Sequence, residues 1–202
     1  MNNAQIFIVM GPSGVGKTVI GHALLRRFKR LKKIVTYTTR TPRPNEVNNV
    51  DYHFVSPTEF TQKIQRGDFI EHATVHGDSY GSAWADLNEL QAQGISALFI
   101  IDIQGAKILK KKLRRAVTIF IEADTLDALR ARISRRRSNE TLEQIERRMQ
   151  TARRELAQKN WANHLVINRQ GHRQEAIQAV AQLIKGHMYP RQMRGRTVVL
   201  KA

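Results

Sequence analysis

Gly11, Gly16, Lys17 and Thr18 in "MGPSGVGKTVI" (10–20) have the spacing G-x-x-x-x-G-K-[ST], whose chemistry is that of an anion cradle. The loop Gly11-Pro12-Ser13-Gly14-Val15-Gly16 would wrap its backbone around phosphates, Lys17 would reach the β- and γ-phosphates, and the Thr18 hydroxyl would ligate Mg²⁺. Such a loop works only between a strand and a helix. The elements are present. Ile6 to Val9 form a short apolar run, and Ile20, Leu24 and Phe28 at i, i+4, i+8 form a helical stripe. The stretch reads as a nucleoside triphosphate loop.

With 202 residues, the chain suffices for one α/β domain carrying a small inserted lobe. The absence of Cys excludes disulfides, thiolate metal sites and cysteine nucleophiles. No signal peptide is evident and no apolar run approaches the ~20 residues that span a bilayer, so a cytoplasmic protein is expected. The net charge of +17 gathers in "RRFKRLKK" (26–33), "KILKKKLRR" (107–115), "RISRRR" (132–137) and a basic tail. That balance suits polyanions, whether nucleotides, nucleic acid or an anionic surface. Phe28 and, in the tail, Tyr189 are the aromatic residues within these runs, too few to indicate a stacking platform for single strands.

Apolar strands alternate with helical patterns along most of the chain, implying βαβ units and a parallel sheet flanked by helices. The exception is "KIVTYTTR" (33–40), "DYHFVS" (51–56) and "DFIEHATVHGDSYG" (68–81), which read as a small mixed lobe. Inside it "SPTEF" opens a helix, with Ser56 as N-cap, Pro57 at the first position and Glu59 closing a capping box. The main pattern resumes with a helix near 83–93 and strands at 95–102, 116–122 and 164–168. Thr141 and Gln144 form a second capping box, ahead of an apolar face of Leu142, Ile145, Met149, Ala152 and Leu156. Gln174 to Ile184 form the last helix, and the tail beyond it is expected to be poorly ordered.

The block "TYTTRTPRPNE…DYHFV…FIEHATVHGDSYGS" resembles the acceptor-nucleotide region of guanylate kinases in order, spacing and residue type. The likeness runs from the phosphate loop to "VIN" (166–168). It implies a P-loop NTPase-type core (1–35 and 83–185), a GMP-binding lobe (36–82), a helical lid (132–150) and a basic tail from 186. By this resemblance Arg40, Arg43, Tyr52 and Tyr80 hold the acceptor phosphate, while Glu71 and Thr36, with Ser82 nearby, read guanine. The types suit the chemistry. An acceptor phosphate with a second pKa of about 6 needs positioning and positive charge rather than a base. A carboxylate accepts from both guanine N1–H and the N2 amino group, which adenine lacks.

Asp102 follows a buried strand at its C-terminal end, where α/β sheets place ligands. It resembles the second acid of the family's D-x-D-x-Q-G segment, here "IIDIQG", where it could hold a Mg²⁺-bound water or the acceptor; helix N-capping is the rival reading. The first acid is Ile100 in this chain. Arg132, Arg136 and Arg148 match lid positions, although the usual G-R-G reads Arg135-Arg136-Arg137. Asn168 matches a position near adenine, and the usual acid after it is Arg169.

The resemblance implies an enzyme converting ATP and GMP to ADP and GDP with Mg²⁺. Two alternatives stay open. One is a guanylate-kinase-like binding module for phosphopeptide or RNA. The other is a related kinase of ribose 1,5-bisphosphate, which would not need Glu71.

Overall fold

The structure, a computed structural model, describes residues 4–75, 77–136 and 141–190. In chain order it forms β1 (Ile6–Met10), α1 (Lys17–Arg27), β2 (Leu31–Lys33), β3 (Tyr37–Thr38), β4 (His53–Phe54), α2 (Pro57–Gln65), β5 (Phe69–Val75) and β6 (Asp78–Ala83). There follow α3 (Trp84–Ala92), β7 (Ser96–Ile100), α4 (Ile103–Lys112), β8 (Val117–Ala123), α5 (Leu126–Arg136), α6 (Leu142–Leu156), β9 (His164–Asn168) and α7 (Arg173–Met188).

Strands β1 "IFIVM" and β7 "SALFI" are apolar almost throughout because helices cover both of their faces. They are central in a five-stranded sheet of order β2-β7-β1-β8-β9, parallel at every pairing. On one face Ile20 and Leu24 of α1 pack with Leu129 and Ile133 of α5 and with Val180 and Ile184 of α7. On the other, Leu87 of α3 and Ala106 and Leu109 of α4 cover Ile8, Met10, Phe99 and Phe120. Each such side chain contributes about 1.5–3 kcal/mol on burial. The second sheet, ordered β4-β3-β6-β5, is built on the antiparallel β5–β6 hairpin. Phe60 of α2 packs on Phe69 and Ala83 beneath it.

Three local expectations change. "KIVTYTTR" (33–40), read as part of the small lobe, divides: Lys33 ends the strand Leu31–Lys33 at the edge of the parallel sheet, while Tyr37–Thr38 joins the second sheet. One buried leucine before Lys32 and Lys33 left the first strand without an apolar signature. Leu142 lies in the first turn of α6 and is 79% exposed, whereas Ile145, Met149 and Ala152 are buried. The last helix continues to Met188. At its start α6 carries both halves of the capping box between Thr141 and Gln144; at Ser56 the hydroxyl half is formed, accepting the Glu59 N–H. The basic tail lies, from 191 onward, outside the described residues.

Candidate active site

The cleft opens at the C-terminal ends of the parallel strands, where Gly11 follows β1 and Asp102 follows β7. Its volume is about 480 Å³. One wall is the phosphate loop: Gly11, Ser13, Gly14, Gly16, Lys17 and Thr18 line it. Lys17 Nζ donates to the Gly11 and Pro12 carbonyls at 2.6 and 2.9 Å, which turns the ammonium onto the loop's own concavity. Pro12 and Val15 shape the loop from outside the cleft wall, Val15 being fully buried.

Two glycines of the loop are obligatory on geometric grounds. Gly11 has φ +143°, and a Cβ there would stand 2.1 Å from the Ile121 carbonyl oxygen, a backbone atom of a central strand. Gly16 has φ +96°, and its Cβ would stand 2.7 Å from Asn168 Nδ2. Gly11→Ala is therefore expected to cost about 3 kcal/mol, from backbone strain and overpacking together. A urea titration checks it, as a lower midpoint at unchanged slope.

The opposite wall comes from the second sheet and its flanks: Thr36, Arg43, Tyr52, Glu71 and Tyr80 all line the cleft. Glu71, on β5, is 3% exposed and accepts a 2.7 Å hydrogen bond from Ser82 Oγ of β6. The register explains the pairing, since Glu71 and Ser82 are direct cross-strand partners. Burial pushes the Glu71 carboxyl up to about 7, against the hydrogen bonds from Ser82 and with help from the charge of Asp102. Tyr52 is half-buried, and the partial loss of water raises its hydroxyl above the usual range and keeps it a donor. Lys33 and Arg40 each stand 5.3 Å from its ring centre.

Arg40 does not line this cleft. Its guanidinium forks Glu46, with Nη2 at 2.9 and 2.8 Å from the two carboxylate oxygens, while the Arg43 N–H donates to the same carboxylate at 2.9 Å. Glu46 was not anticipated, yet it carries a signal: it is the first acidic residue in the chain, three and six positions after the two arginines.

Asp102 is the N-cap of α4, its Oδ1 accepting from Gln104 N–H at 2.7 Å and Gly105 N–H at 3.0 Å. It also lines the cleft. The capping geometry commits one carboxylate oxygen to the helix. From the far side Arg132, Arg148 and Glu155 complete the lining. Glu155 is a second unanticipated acid. Burial raises its carboxyl to about 7, Lys17 opposing and Asp102 assisting. It sits three residues beyond Ala152, on the flank of the α6 apolar face. The side chain of Arg136 lies outside the described residues, as do Arg137 and the turn to 140.

Asn168 is not open to the main cleft. Its Nδ2 donates to the Val15 carbonyl at 2.7 Å, bracing the phosphate loop, and Arg132 Nη2 donates to the Asn168 carbonyl at 2.8 Å. Asn168 also borders a neighbouring hollow of about 410 Å³ shared with Gly14, Gly16, Arg132 and Arg169. Among the described residues, Asn168 Oδ1 and Arg132 Nη1 are buried without a hydrogen-bond partner.

Comparison with known proteins matches this arrangement, the guanylate kinase family description covering residues 3–187. The chain belongs to the guanylate kinase family. It is 39% identical over 165 residues to a guanylate kinase of Geobacter sulfurreducens, covering 82% of this chain and 81% of that protein. To the guanylate kinase of Mycobacterium tuberculosis it is 38% identical over 167 residues, 82% of this chain and 80% of the other. Among solved structures, a guanylate kinase from Anaplasma phagocytophilum superposes with a TM-score of 0.72 at 28% identity, covering 95% of this chain and 88% of that one. No helix among the described residues is long and apolar enough to cross a membrane.

Proposed function

We propose that the chain transfers the γ-phosphoryl group of ATP to GMP, giving ADP and GDP. The observation that carries this reading is the cleft itself. It faces a phosphate loop with Lys17 and Thr18 on one wall and a buried Glu71–Ser82 pair with Arg43, Tyr52 and Tyr80 on the other. Loop N–H groups and Lys17 hold the donor phosphates, and Arg132 and Arg148 face the group in transfer. Arg43 and the tyrosine hydroxyls orient the acceptor phosphate, with Arg40 supporting them through Glu46. No base is required, because the acceptor phosphate is ionised near neutral pH. Catalysis is then positioning and charge neutralisation in a site shielded from water.

Glu71 supports guanine over adenine as the acceptor base. Its carboxylate accepts from guanine N1–H and N2–H together, a pair of donors that adenine does not present. The same observation disfavours ribose 1,5-bisphosphate, which offers no base to a buried carboxyl. Thr36, 6% exposed, adds a hydroxyl beside it.

The donor set also fits Mg²⁺, a hard cation that binds through substrate phosphates and few protein oxygens. The Thr18 hydroxyl at the start of α1 would hold it, and Asp102, which lines the same cleft and has Oδ2 outside the α4 cap, would be the carboxylate available to it. Held there, Mg²⁺ would supply positive charge against the negative charge that develops on the phosphates. ADP formation is expected to fall below one hundredth of its rate in excess EDTA and to return with Mg²⁺. A coupled assay with GMP, AMP, UMP and ribose 1,5-bisphosphate offered separately tests the reading. ADP formed with GMP alone supports it, and turnover of the ribose compound instead overturns it.

A further inference from the structure

The chain carries 34 Lys and Arg against 17 Asp and Glu, far beyond what two nucleotides require, and the fold sorts the surplus. Helix α1 starts at the cleft with Lys17, and α4 starts there with its N-cap Asp102. At 1.5 Å per residue, both helices end about 15 Å away from the cleft. The strand register fixes where. Leu31 pairs with Ser96, Ile6 with Ala97 and Phe7 with Val117, so the chain just before β2 and just before β8 emerges on one rim of the sheet. That rim is the pole opposite the cleft.

At the α1 end, Arg26, Arg27, Lys29, Arg30 and Lys32 are all exposed. At the α4 end, Lys111, Arg114 and Arg115 are exposed, and Lys110 is turned to the same rim by hydrogen bonds to the Arg114 and Ala116 carbonyls. None of those eight exposed cations pairs with a carboxylate among the described residues. The sequence withholds partners locally: no acid occurs before Glu46, and none between Asp102 and Glu122. Favourable placement at a helix C-terminus accounts for one or two cations per helix, at about 0.3–1 kcal/mol each. It does not account for this crowding, which costs repulsion in the folded state.

We propose that this basic pole is a binding surface for the phosphate backbone of double-stranded nucleic acid. The starts of β2 and β8 lie three strand intervals or about 14 Å apart along the rim, and because α1 and α4 cover opposite faces of the sheet the two clusters stand about 24 Å apart across β7 and β1. Over that length a duplex presents about fourteen phosphates. Phe28, between Arg27 and Lys29, packs against the core and Tyr189 stands alone, so the pole offers no row of aromatic faces to stacked single strands, which favours a duplex. An anionic membrane fits less well, because Tyr189 is the single large apolar side chain exposed near this end among the described residues. The surface reads charge and spacing, not base sequence, and is independent of the cleft.

Fluorescence anisotropy with a labelled 20-base-pair RNA duplex, on the full chain, tests the proposal. Affinity is expected to fall about 10³-fold between 50 and 200 mM salt. The combined variant Arg26→Gln, Arg27→Gln, Lys111→Gln and Arg115→Gln should flatten the log–log salt slope by about 3–4. Its rate of ADP formation with GMP should stay at the parental value, which shows that the variant is folded and that the cleft is untouched. Absence of duplex binding at 50 mM salt would overturn the proposal. So would an unchanged slope in the variant, which moves the binding to other cations, or binding to phosphatidylserine vesicles with none to duplex.

Discussion

Lys17→Ala is expected to lower kcat/KM for ADP formation about 10³-fold, or about 4 kcal/mol of transition-state stabilisation. The ammonium already lies within the phosphate loop, held by the Gly11 and Pro12 carbonyls. Its contribution therefore needs no rearrangement of the loop, and the loss should fall on kcat more than on either KM. The loop itself stays braced in the variant, because Asn168 still holds the Val15 carbonyl. Steady-state kinetics with both substrates varied, beside a cooperative urea transition, measures this. A loss under tenfold with the fold intact would mean that transfer does not depend on this ammonium.

Glu71→Gln should weaken the enzyme and strengthen the fold. With GMP, kcat/KM is expected to fall about 10³-fold, because the amide puts an N–H donor against a guanine donor and leaves it unpaired in a buried site. KM for ATP should hardly move. The stability effect has the opposite sign. Burial raises the Glu71 carboxyl from 4.5 to about 7 in the folded chain, so the folded state holds this proton more tightly than the unfolded state. That stabilisation is complete below about pH 4.5 and lost as pH rises to about 7, a change of about 3 kcal/mol without ligand. The glutamine variant has no such proton. It should match the parent at pH 4.5 and exceed it by about 3 kcal/mol at pH 8. Urea midpoints across that range decide the matter, and a pH-independent difference would refute the buried-acid account. GMP should also drive a proton off Glu71 near pH 6.5, since two N–H donors favour the carboxylate. Calorimetry in buffers of different ionisation enthalpy reads that release directly.

The parallel sheet and the phosphate loop were legible because their signals are local. Buried strands such as "SALFI" and the glycine spacing at 11–16 are set within a few residues. Strand β2 was hidden because an edge strand of three residues with two lysines shows no apolar run. Asp102 reads from sequence as a ligand-facing acid with helix N-capping as the rival, and the structure has both features, one oxygen on the α4 cap and the residue lining the cleft. Glu155 escaped notice because its acid character comes from burial against the cleft, which brings together α6, Lys17 and Asp102 from distant parts of the chain. Asn168 was assigned to a base by analogy of position, and its contact with Val15 spans the whole domain. For Glu155 and Asn168 the missing information was long-range packing.

Glu46 gives the acceptor loop a tethered competitor. Its carboxylate already fills the Arg40 fork and accepts from the Arg43 backbone, and being tied to the same loop it acts at a high effective concentration. A small free anion offers nothing that this internal one does not. A ligand that also reaches Glu71, across the second sheet, arrives with a second anchor and can take over the exposed donors of Arg43. With the proposed function, inorganic phosphate is therefore expected to compete weakly with GMP, which inhibition kinetics measures as a phosphate inhibition constant far above the KM for GMP.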